Sequence, residues 1–146
     1  MDYTILNKQI ARLEKFDTDL TISRVVKKEN ELIIDMNFDD QLYDKGVFPD
    51  GKPTGDYSPT TLKFKEAPGS HDHKTDHITF KDEGDFYKGA FIKTNKKSFK
   101  IDSRDSKRDE LVAREGDMFG LTKENLTELG KVYILPELQK DAKKAV

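Results

Sequence analysis

Between Val47 and Pro59 the chain carries three prolines and two glycines, Pro49, Gly51, Pro53, Gly55 and Pro59. Proline fixes its own φ and lacks the N–H that helices and strand ladders need, and glycine is costly to order, so no regular element can run through this stretch. The chain is therefore read as two structured portions joined by a long loop, and a loop of this length is a candidate contact element.

The material left for a core is thin. Of 146 residues, 34% are hydrophobic and 37% charged, against about 45–50% apolar in ordinary globular domains. Such a lean chain suits a flat, extended or assembling protein of one domain. With no cysteine there is no disulfide, thiolate nucleophile or Cys-ligated metal. No window approaches the ~18 apolar residues of a membrane span, and Met1 to Phe16 is amphipathic without the apolar block of a signal peptide. A net charge of -2 with interspersed signs argues against a dedicated nucleic-acid binder.

Ile5, Leu6, Ile10, Leu13 and Phe16 recur at helical spacing with Lys8, Arg12 and Lys15 between them, which predicts a surface helix. Asp17-Thr18-Asp19 supplies caps for a second helix through Leu20, Ile22, Val25 and Val26. Leu32, Ile34, Met36 and Phe38 alternate like a strand, whereas Leu32, Ile33 and Met36 share a helical face; the alternation favours a strand. Asp39 to Lys45 reads as a polar turn or short helix closed by Gly46. Ser58-Pro59 either opens a helix or leads into a strand. The run from Phe86 to Thr94, then Asn95-Lys96-Lys97, then Ser98 to Asp102, predicts a β-hairpin pairing the Phe91 region with Phe99 and Ile101, Lys93 and Lys100 facing water. Asp105 to Glu115 is an exposed loop or a short amphipathic helix stopped by Gly116. Thr122 and Asn125 outline a capping box for a last helix that Pro136 should kink. The expected fold is α+β: N-terminal helical region 1–46, loop-rich insertion 47–77, hairpin region 78–103, and a charged segment with a C-terminal helix over 104–146.

The conspicuous chemical cluster is Ser70 to His77, which holds all three histidines and two aspartates within eight residues. His71 and His73 fall on one side of an extended segment and, with His77, are weak candidates for a divalent metal. The simpler reading is a solvated loop after Pro68-Gly69, and no metal or other cofactor is expected. Carboxylates such as Asp35, Asp39 and Asp40 lie in polar surroundings without an apolar cleft to separate their pKa values. No phosphate-binding glycine pattern and no nucleophile elbow occurs, so the chain is not expected to be an enzyme. Lys88, Lys93, Lys96, Lys97 and Lys100, interleaved with Phe86, Tyr87, Phe91 and Phe99, are either a nucleic-acid face or a lysine-guarded sheet edge.

The stretches Gln41 to Gly46, Tyr57 to Thr61 and Thr79 to Tyr87 resemble small virion proteins of phages and prophages from Bacteroidetes-type bacteria. The turn Asp82-Glu83-Gly84-Asp85-Phe86 is similar to the Asp-Thr-Gly-x-Leu turn of neck and tail-completion proteins of long-tailed bacteriophages, with Glu83 and Phe86 as departures. Phe119-Gly120-Leu121-Thr122 and the helix after it resemble the end of that family's chains. The resemblance implies a virion subunit, made in the host cytoplasm, that forms a ring, commonly of six, between head connector and tail tube, with DNA passing the lumen. Its contacts would be the 47–59 loop, the histidine loop and the hairpin tip at Lys96 and Lys97. In the Asp82–Asp85 turn itself, Gly84 would take a positive φ, Asp82 would accept backbone N–H groups across the turn, and Phe86 would enter the core.

Overall fold

In the computed structural model, which describes residues 3–146, the apolar spacing at the start of the chain becomes two helices, α1 (Thr4–Glu14) and α2 (Thr18–Lys28). Asp17 separates them as an N-cap, accepting from Leu20 N at 3.2 Å one of the donors that a first helical turn leaves open. α2 buries Thr21, Val25 and Val26, whereas α1 buries no residue.

Residues 31–38 are helical rather than a strand. Here α3 (Asn30–Asp35) runs directly into a wider, π-type helix over Met36–Lys45. The buried positions are Ile33, Met36, Asn37, Phe38, Gln41 and Leu42. This face has helical spacing once its two amides are counted as core, which the alternation of apolar residues alone conceals. The π segment stops at Gly46, whose φ of 63° turns the chain so that Val47 N donates to Gln41 O at 2.9 Å.

The proline-glycine stretch is an ordered loop folded back on itself, with a bridge between Val47 and Pro53 and a bond from Thr54 N to Gly46 O. Ser58 then caps α4 (Pro59–Glu66) by accepting from Thr61 N, and Pro59 occupies the first turn, where its missing N–H costs nothing.

A short helix, α5 (Asp85–Lys88), precedes β1 (Ala90–Thr94) and β2 (Phe99–Ser103). The strands pair antiparallel with Ile92 opposite Ile101 and Lys93 opposite Lys100, and they form a two-stranded sheet. Phe86 and Tyr87 thus stand in a helical turn ahead of the strand. α6 (Arg108–Glu115), α7 (Lys123–Glu128), a second π segment (Leu129–Ile134) and α8 (Leu135–Ala145) complete an α+β fold with a C-terminal helix. At Pro136 the outcome is a resumption rather than a break: Leu135 N reaches back to Gly130 O, and Pro136 falls in the first turn of α8.

The core centres on the Phe38 ring, 5.4 Å from Phe86, 5.2 Å from Tyr87 and 6.1 Å from Phe119. Beside it lies a buried amide clamp. Asn37 Nδ2 donates to Met118 O and Asn37 Oδ1 accepts from Gly120 N, both at 3.1 Å, while Gln41 Nε2 donates to Gly120 O at 3.0 Å and Gln41 Oε1 accepts from Thr122 N at 2.9 Å. Two side chains one helical turn apart therefore do what a neighbouring strand would do for the segment 118–122. Asn125 Nδ2 closes the set on Gln41 Oε1 at 2.9 Å, so Asn125 serves this clamp while Thr122 Oγ1 caps α7 through Asn125 N. No helix among the described residues is long and apolar enough to cross a membrane.

Candidate functional site

A groove of about 590 Å³ is walled by α4, α6 and the turn leading into α5. Phe64, Phe80 and Leu111 give it apolar lining, and Phe64 is 72% exposed. Phe80 has φ 58°, the one positive value outside glycine among the described residues, in a region that bulky side chains avoid. The residue before it is tied down from several sides: Thr79 N donates to Tyr57 OH at 2.9 Å, Tyr87 OH donates to Thr79 O, and Lys81 N donates to Thr79 Oγ1.

Behind the groove stands a polar hub. Asp72 Oδ2 accepts from Lys65 Nζ at 2.8 Å and Thr79 Oγ1 at 3.1 Å, and Oδ1 accepts from Tyr43 OH at 2.9 Å and Lys74 N at 3.2 Å. Lys65 and Asp72 are both buried, at 8% and 7% exposure. Burial alone would push the Asp72 carboxyl up, but bonds from Lys65, Tyr43 and Lys74 N hold it below the usual carboxylate range. Burial likewise opposes the Lys65 charge, but Asp72 and Tyr57 together outweigh it, so the ammonium sits above the usual lysine value. Burial pushes the Tyr87 hydroxyl up, with the charge of Asp39 adding to it, so Tyr87 stays protonated and keeps donating. With four donors on its two oxygens, Asp72 is saturated, and no buried side-chain N or O among the described residues lacks a partner. This cluster holds backbone in place and offers no poised base.

The three histidines do not converge. His73 Nδ1 pairs with Lys65 O at 2.7 Å, His77 Nε2 pairs with Tyr43 O, and His71 lies at the groove, exposed. The ring of His77 lies against Gly46, where an added Cβ would come within 2.4 Å of His77 Cγ. Among the described residues no three His, Cys, Asp or Glu side chains are grouped so as to hold a metal ion.

At the turn, Gly84 has φ 91° and Phe86 is 4% exposed, as its sequence suggested. Closure comes from backbone bonds, Lys88 N to Gly84 O and Gly89 N to Asp85 O, both 2.9 Å, and Asp82, Glu83 and Asp85 stand exposed on the groove rim. Lys96 and Lys97 are exposed at the hairpin tip, where Asn95 Oδ1 accepts from Lys97 N and Ser98 N at 3.0 and 2.8 Å. The aromatics that alternate with the hairpin lysines are occupied: Phe86 and Tyr87 pack on Phe38, Phe99 packs against the core, and Arg104 covers Phe91 at 4.0 Å.

The sequence marks Asp72 only as a neighbour of the histidines and Tyr43, Tyr57 and Thr79 only as members of the stretches that carry the resemblance, and Lys65 has no local signal. A second feature that it does not mark is how little of α1 is covered: Ile5 is 73% exposed, Leu6 50%, Ile10 44% and Leu13 44%. No family model, curated protein or solved structure matches the chain.

Proposed function

We propose that this chain is a structural subunit that assembles with copies of itself, in the role of a neck or tail-completion protein of a tailed phage. The observation that carries the assembly reading is α1. Isolated helices shorter than ~12–15 residues are marginal in water, and α1 has 11 residues, none of them buried, its contact with α8 leaving the apolar stripe open. Its apolar stripe repays ordering only when something covers it, at roughly 1.5–3 kcal/mol per fully buried Ile or Leu side chain. The saturated hub, which supplies rigidity rather than reactivity, supports a structural role, and the resemblance of the 41–46, 57–61 and 79–87 stretches supports the virion setting. In that setting the ring lies between head connector and tail tube, and DNA passes through its lumen.

The test is sedimentation of the purified full chain alone and with connector and tail-tube proteins from the same phage or prophage. The expected result is a ring of several copies, or a complex that forms once connector or tube is added. A chain that stays monomeric at every concentration and ignores both proteins contradicts the proposal.

A further inference from the structure

We infer that α1 of one copy docks head-to-tail into the groove between α4, α6 and the Asp82–Asp85 turn of a second copy; this rests on the assembly reading above and names its interface. Shape and polarity agree. On α1, Leu6, Ile10 and Leu13 follow each other at the i, i+4, i+7 spacing of one helical face, with Ile5 beside them. Opposite them the groove presents Phe64, Phe80 and Leu111, with Phe64 largely in solvent.

Charge selects this partner surface over the other exposed apolar positions. From Thr4 to Lys15, α1 and its cap carry three basic residues, Lys8, Arg12 and Lys15, against Glu14. The groove is acidic where it is free. Asp82, Glu83, Asp85 and Asp105 form no ion pair among the described residues; of the groove's cations Lys65 is held by Asp72 and Arg114 by Glu115, while Lys81, over the rings of Tyr43 and Tyr87, and Lys107 are the two without an ion-pair partner. A basic amphipathic helix therefore meets an apolar groove with an acidic rim.

The two surfaces are different patches of one chain, so the contact is heterologous. Repeated from copy to copy, such a contact closes into a ring when its rotation allows. Two copies thus use one helix and one groove, and each dimer still offers a free helix at one end and a free groove at the other.

Two full-length variants test this by complementation. Ile10→Asp disables the helix and Phe64→Asp disables the groove, both at exposed positions. Each alone should be monomeric by light scattering. Mixed in equal amounts they should form a dimer and double the measured mass, because one intact helix meets one intact groove. If the mixture stays monomeric while the unaltered chain assembles, α1 packs elsewhere, on another α1 or on α8, and the docking inference fails while the assembly reading stands. If the unaltered chain is itself monomeric at all concentrations the docking inference fails, and the assembly reading fails with it when connector and tail-tube proteins do not recruit the chain either. Charge reversal gives an independent readout that needs no apolar change: Arg12→Glu or Glu83→Lys alone should weaken association about 10-fold or less, and mixing chains that carry the two reversals should restore it at the reversed pair. Equal weakening in the mixture overturns the inference.

Discussion

Asp72→Ala is expected to lower stability by about 3–5 kcal/mol, the cost of leaving one member of a buried ion pair uncompensated. Lys65 would keep its charge at a buried site, 4.7 Å from the Tyr57 ring, and Tyr43 OH and Thr79 Oγ1 would each lose an acceptor. Urea unfolding reads the loss as a shifted midpoint. Replacing both partners, Lys65→Met with Asp72→Ala, should recover part of it, since no charge is then stranded. The pH dependence follows from the direction of the shift. The folded carboxyl titrates below its unfolded value of about 3.9, so its contribution is fully present above that value and disappears as pH falls through the folded pKa. The gap between Asp72→Ala and the unaltered chain should therefore be constant near neutrality and shrink only in acid. A gap that is already closing near pH 6 would mean that the carboxylate is not held as described.

Gln41→Leu should cost about 1–3 kcal/mol, although the side chains are similar in volume. It strands Gly120 O and Thr122 N, half-buried groups with no other side-chain partner in the clamp. Asn125 Nδ2 loses one acceptor but keeps Asp40 Oδ2 and Met36 O. The expected signature is a lower unfolding midpoint with faster amide exchange at Thr122. A variant as stable as the unaltered chain would show that the clamp contributes nothing beyond filling space.

Most of the fold was legible in the sequence because its signals are local. Asp17, Ser58 and Thr122 mark helix starts, Gly46 and Gly116 mark stops, and the proline-glycine loop and hairpin fall where turn chemistry puts them. Residues 31–38 misled because two core-facing positions are amides. Read as polar, Asn37 and Gln41 break the helical stripe, and the remaining apolar residues alternate by coincidence of spacing. Asn125 has the same cause: in sequence it is an imperfect capping box, and its side-chain partners lie 84, 85 and 89 residues away.

The candidate site was legible only in part. The acidic turn and its Gly84 were visible because a positive φ needs a glycine there, and α1 was visible as an amphipathic helix. That its stripe stays uncovered is a tertiary fact that no spacing reveals. The Asp72 hub draws on residues from Tyr43 to Thr79 and could not be assembled from neighbours in sequence. The histidines attracted attention by composition, yet two of them bond to backbone carbonyls and brace the chain.

The central claim is that the apolar stripe of α1 is covered by a second copy. Amide hydrogen exchange over Leu6 to Leu13, followed across a series of protein concentrations, tests it most directly. Protection that grows with concentration, while exchange in the Phe38 core stays unchanged, is the predicted result. Exchange in α1 that is the same at every concentration, including those at which the chain is a single copy, would contradict it.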